Sequence, residues 1–157
     1  MKEKDKQDIV KAGEISKKVK EYIKTIVKKD KSMLELAEHI ESKILELGGE
    51  NAFPVNLSIN DIAAHHTPSY NNTEKTHGLL KVDFGVSVNG WTADSAISFD
   101  LEENEENHKL ILAAEESLQN ATQVVLKDKQ FAKIKDIGIA VENTMFKHKI
   151  QPIINLT

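Results

Sequence analysis

Two aspartates, Asp83 and Asp94, stand on either side of Asn89-Gly90 in the stretch LKVDFGVSVNGWTADSAISFD. Asn-Gly between two alternating runs is the strongest short signal for a β-hairpin, because a type I′ turn needs positive φ at both central residues. A two-residue loop there sets the register: Val88 faces Trp91, Asp83 lies opposite Ala96, and Asp94 lies opposite Gly85. Side chains alternate with period two, so Asp83, Gly85 and Ser87 share a face with Thr92, Asp94, Ala96 and Ser98. The aspartates become diagonal neighbours, their Cβ atoms about 7 Å apart or a little less. Carboxylates that close repel unless a proton or a cation lies between them, and the other side chains on this face are small enough to leave room for one. A hard divalent ion bound by carboxylate oxygens fits, and two ions about 3.5–4 Å apart could share bridging carboxylates. Pairing geometry alone fits a solvated polar face of a half-buried hairpin as well, and leaves both readings open.

The hairpin's other face carries Val82, Phe84, Val86 and Val88 against Trp91, Ala93, Ile97 and Phe99, interrupted only by Ser95, and reads as core. Helices must cover it. From Ile9 onward, Ala12, Ile15, Val19, Ile23 and Ile26 recur at helical steps. A second helix opens with a capping-box pattern, Ser32 with Glu35, carries Leu36, Ile40, Ile44 and Leu47, and stops at Gly48-Gly49. FPVNLSIN then reads as a short extended segment. After the hairpin the order repeats. Leu110, Ala114, Leu118, Ala121 and Val125 form one stripe, Ile134, Ile137, Val141 and Met145 another, and PIINLT follows. PVNLS and PIINLT, each after two helices, point to an internal duplication.

Composition sets the classes. A chain of 157 residues is one domain by its length. It has no cysteine, which removes disulfides, thiolate metal sites and cysteine nucleophiles. A net charge of −4, with every basic residue a lysine, argues against a nucleic-acid partner. No stretch is apolar enough for a signal peptide or a membrane span, so a cytoplasmic protein without a membrane partner is expected.

AFPVNLSINDIAAHHTP at 52–68 and LLKVDFGVSVNGWTADSA at 79–96 resemble the N-terminal half of a type II methionine aminopeptidase of archaeal or eukaryotic kind. The opening KAGEISKKV helix and the closing PIINLT extend the resemblance along nearly the whole chain. It implies an α+β pita-bread fold, of which residues 1–157 would be the first of two pseudo-symmetric halves and the start of the second. It implies a dinuclear site for two divalent ions, cobalt, manganese, iron or zinc, with Asp83 and Asp94 as the first two ligands. His65 matches the histidine that contacts substrate near the scissile bond, and Phe53 an aromatic residue lining the pocket for the methionine side chain. His66 departs from the pattern, standing where the family usually has tyrosine.

The substrates so implied are peptides with an N-terminal methionine. In the family, the phrase ending in NLT or NLS runs on into a Gly-His that supplies the third metal ligand, and two glutamates complete the set. The resemblance therefore implies a C-terminal half, truncated or carried on a separate polypeptide, without which the chain would be inactive. The alternative is a non-catalytic binding module of the same fold; those relatives tend to replace the metal aspartates. A proline-directed peptidase of this fold fits AFPVNLSIN and AAHHTP less well. His39, His108 and His148, on helical segments with charged neighbours, read as solvent-facing, and His77 lies in a turn-rich linker.

Overall fold

Helix α1 (Glu3–Ile26) starts well before its apolar stripe, because Glu3 and Asp5 suit a helix N-terminus and Asp5 Oδ2 accepts the Lys2 backbone N–H at 2.8 Å. It buries the expected Ala12, Ile15, Val19 and Ile23, and also Ser16. In α2 (Met33–Glu46) Ser32 Oγ caps the helix by accepting the Glu35 N–H at 3.2 Å. The helix stops where expected. Gly48 takes φ +82, a left-handed conformation that costs glycine little, and Gly49 N–H donates to Ile44 O.

The computed structural model describes residues 1–153 of the chain, which divides into two units, Met1–Glu102 and Glu103–Thr157. The first unit holds one antiparallel sheet of β1 (Glu50–Asn51), β2 (Asn56–Ile59), β3 (Leu79–Val88) and β4 (Trp91–Asp100). Strand β4 lies along one edge of β3 in the expected register, Val88↔Trp91, Gly85↔Asp94 and Asp83↔Ala96. Positive φ at both Asn89 and Gly90 gives the turn that Asn-Gly implies. Strands β1 and β2 share the opposite edge end to end, pairing Glu50↔Ser87 and Asn56↔Asp83.

Val82, Phe84 and Val86 are fully buried against the stripes of α1 and α2. Ala93, Ile97 and Phe99 pack on them from β4 and are half-buried, whereas Trp91, beside the turn, stays 37% exposed. Ser95, the polar interruption, has a partner across the layer: its Oγ lies 2.8 Å from Ser16 Oγ on α1. That pairing explains both hydroxyls in an apolar interface.

The linker before β3 is stitched to the α1–α2 connection through Thr76, which is fully buried. Thr76 Oγ1 donates to Lys28 O at 2.6 Å and accepts the Lys31 N–H at 3.0 Å, while its backbone pairs with Asp30 and Lys31. Thr76→Val keeps the shape and strands both partners, so it is expected to cost about 1–3 kcal/mol, read from the midpoint of urea unfolding. A midpoint equal to wild type's would show that the hydroxyl is idle.

In the second unit, α3 (Glu105–Asp128) is capped by Asn104 Oδ1, which accepts the N–H groups of Glu106 and Asn107. A 3-10 turn at Lys129–Phe131 leads into α4 (Ile134–Lys147). Here the expected stripe is corrected. The buried face of α3 is Ala113, Ser117 and Ala121, whereas Leu110, Ala114, Leu118 and Val125 are exposed, Leu118 to 64%. Small residues let α4 approach, with Asn120 Nδ2 donating to Thr144 Oγ1 at 2.8 Å, and the larger apolar stripe beside them is left outside. On α4, Ile134 is 88% exposed, and Ile137, Val141 and Met145 are half-buried. Of PIINLT, only Pro152 and Ile153 fall among the described residues, so the repeated phrase lies largely outside them.

His39 and His108 are exposed as expected, but His148 is not simply solvent-facing. It is half-buried, with Nε2 2.7 Å from Glu116 Oε2 on α3. That hydrogen bond holds the Glu116 carboxyl below its usual range. A lowered native pKa means that the unfolded chain binds the proton more readily. The contribution is therefore present above the ordinary carboxylate range and is lost as pH falls through it. Melting curves between pH 7 and 3 are expected to show this acid sensitivity reduced in Glu116→Gln; identical pH profiles would discount the pair.

Candidate metal centre

Asp83 and Asp94 share the sheet face opposite the helices, as the register demands. Asp94 is exposed; Asp83 is half-buried, and its carboxyl is pushed above the ordinary carboxylate range. Burial is the largest cause. A hydrogen bond from Asn56 opposes it, the charge of Asp94 adds to the rise, and His65 pulls the other way. Asp94, Asn56 and His65 thus all act on Asp83, so the structure brings together three residues that the sequence singled out and one that it did not.

His65 is exposed and has φ +61, a left-handed conformation that costs a non-glycine residue on the order of 1 kcal/mol or more. After that turn the chain is pinned to β2: Leu57 N–H donates to His66 O at 2.7 Å, and His66 Nδ1 lies 2.9 Å from Leu57 O. His66, at the position where tyrosine was expected, is therefore engaged with the β2 backbone. Next to it, Thr67 Oγ1 donates to Asn56 Oδ1 at 2.8 Å, and Asn56 Nδ2 donates to Asp83 Oδ2 at 3.4 Å.

Phe53 reaches the same face by a different route. It lies between β1 and β2, where Ala52 N–H donates to Gly85 O at 3.0 Å. A Cβ on Gly85 would come within 2.5 Å of Phe53 Cε1 and 2.9 Å of Ala52 Cβ. The ring therefore fills the space over Gly85, and the face is less open beside the aspartates than its small side chains implied. Gly85→Ala is expected to displace the ring and cost about 1–3 kcal/mol, seen as a lower denaturation midpoint. An unchanged midpoint would mean that the ring moves aside freely.

The donor set fits a divalent cation as far as it goes. Two carboxylates face one another, and a cation would offset both the burial and the repulsion acting on Asp83. No cluster of three or more metal-ligating side chains forms among the described residues, so the pair is a partial site. A cleft of about 330 Å³ between the end of α1 and the start of α2 has one carboxylate in its lining, Glu35, and lies apart from this chemistry.

The profile of metallopeptidase family M24 matches residues 7–157. The chain belongs to that family. It is 42% identical over 156 residues to a methionine aminopeptidase of Thermococcus onnurineus, covering 98% of this chain and 51% of that protein. A methionine aminopeptidase of Methanothermus fervidus is 38% identical, with 94% of this chain and 84% of the relative covered. The chain thus spans about half the length of most of the curated relatives it matches. Among solved structures, methionine aminopeptidase from Rickettsia prowazekii superposes with a TM-score of 0.78 at 20% identity, over 94% of this chain and 62% of that one. Prolidase from Pyrococcus furiosus superposes with a TM-score of 0.70 at 16% identity, over 94% and 44%. At those identities the likeness concerns fold alone, and that fold is the pita bread.

Proposed function

We propose that residues 1–157 are the N-terminal portion of a single pita-bread methionine aminopeptidase domain. It would act in the cytoplasm on peptides with an N-terminal methionine, and only together with a C-terminal half carrying the remaining metal ligands. The observation that carries this reading is that Asp83 and Asp94 share one sheet face, with the Phe53 ring over Gly85 beside them and the charge of His65 acting on Asp83. Methionine aminopeptidases among the relatives support it. No helix among the described residues is long and apolar enough to cross a membrane.

Asp83 and Asp94 would hold two divalent ions, cobalt, manganese, iron or zinc, which when bound supply hydroxide near neutral pH and polarise a carbonyl. His65 would hold the peptide carbonyl and donate to the oxygen as negative charge develops there. Phe53, with its ring over Gly85, would offer an apolar wall to the methionine side chain. Asn56 donates a long hydrogen bond to one carboxyl oxygen of Asp83.

The test supplies a second polypeptide beginning at the Gly-His and carrying the other ligands, with cobalt(II) or manganese(II) and the peptide Met-Ala-Ser. Release of methionine is expected, with a rate that depends on the concentration of both polypeptides. A complex that forms yet releases no methionine would replace this reading with that of a binding module.

A further inference from the structure

We infer that Asn56 and Thr67 are positioning residues that fix the rotation of the Asp83 carboxyl and tie it to the loop carrying His65. The inference rests on the metal-site reading above. An ionised carboxylate only accepts hydrogen bonds, so the Asn56 amide must turn its NH₂ toward Asp83 and its carbonyl away. Thr67 meets that carbonyl with its hydroxyl, at 2.8 Å, and so prevents the amide from flipping. Asn56 stands directly opposite Asp83 in the β2–β3 register and therefore on the same face. Its contact is long, 3.4 Å, and steers the carboxyl more than it binds it.

Thr67 in turn has its place because Leu57 and His66 exchange two hydrogen bonds immediately beside it. His65, with its left-handed backbone, is the residue before that clasp. One short chain of contacts thus runs from Asp83 through Asn56 to Thr67, which lies two residues along the chain from His65, the residue that would meet the substrate. Groups that orient a metal ligand from behind typically change affinity about 10–100-fold when removed.

The probe is manganese(II) chloride, whose paramagnetism broadens nearby amide signals even for weak binding, titrated into the 157-residue chain labelled with ¹⁵N at a concentration where it is monomeric. Wild type is expected to lose the signals around Asp83, Gly85 and Asp94 first. Thr67→Val is expected to need at least about tenfold more manganese, Thr67→Ser to titrate like wild type, and the metal-free melting point of both to stay near wild type's. The Asn56 side-chain amide signals should shift in Thr67→Val before any metal is added. Asn56→Ala tests the nearer link, and if it fails to fold, Thr67→Val decides alone. Wild type showing no selective broadening would overturn the metal-site reading and this inference with it. Selective broadening in wild type with the same midpoint in Thr67→Val would overturn the inference alone.

Discussion

Asp83→Asn, in the chain supplied with the second polypeptide of the reconstitution test, is expected to reduce methionine release by well over about 100-fold, the upper end of what losing a ligand's outer partner costs. Asparagine keeps the shape and removes an anionic oxygen from a site proposed to hold two dications. Asp94→Asn is expected to do the same. The metal-free chain should respond to Asp83→Asn in the opposite direction. Burial and the neighbouring Asp94 both disfavour the Asp83 charge, so a neutral amide there is expected to raise the melting point in the presence of a chelator. Loss of activity together with gain of stability marks a charge kept for chemistry. His65→Ala is expected to behave differently, slowing turnover about 10²–10³-fold while leaving manganese binding near wild type. Wild-type turnover in Asp83→Asn, or an unchanged melting point without metal, would overturn this assignment of roles.

The second large effect concerns the exposed stripe of α3. Leu110, Leu118, Val125 and Leu126 on that helix, with Phe131 and Ile134 beyond it, present apolar side chains to solvent. Large apolar side chains left exposed along a helix in this way mark an interface or an association hazard. The 157-residue chain is therefore expected to bind a hydrophobic dye strongly and to self-associate as its concentration rises. The double variant Leu118→Lys, Val125→Lys should remove most of the dye signal without loss of helix content, because neither residue belongs to the buried face of α3. On the reading proposed above, adding the second polypeptide is expected to quench the wild-type signal. A monomeric wild type that ignores the dye would leave the stripe without a partner to explain.

Most of the first unit could be read from local pattern. Asn89-Gly90 determines a register, the register puts both aspartates on one face, and the stripes of α1 and α2 leave one side to bury. Asn56 and Thr67 could not be assigned in this way. Their link to Asp83 depends on how β2 returns to β3 across the 60–78 connection, and no local periodicity encodes that register. Phe53 could be matched to a family pattern, but its seat over Gly85 depends on the break between two short strands. The α3 stripe failed for a related reason. Two adjacent helical faces were both apolar enough, and α4 took the one with small residues, which periodicity cannot rank.

The hairpin bearing Asp83 and Asp94 closes over two residues, so its contacts are the most local in the sheet. Hairpins form in about 1–10 μs, and contacts close in sequence form ahead of distant ones. Synthesis adds only about 5–20 residues per second, so the two strands that carry the aspartates have ample time to pair as the chain is made. His65 and Phe53 precede the hairpin in the chain but join it only when β2 docks. The carboxylates are thus the first part of the centre to be assembled, at a stage when their repulsion is least compensated. On the metal-site reading proposed above, a divalent ion captured then would favour closure of the hairpin, so metal binding would enter the order of folding.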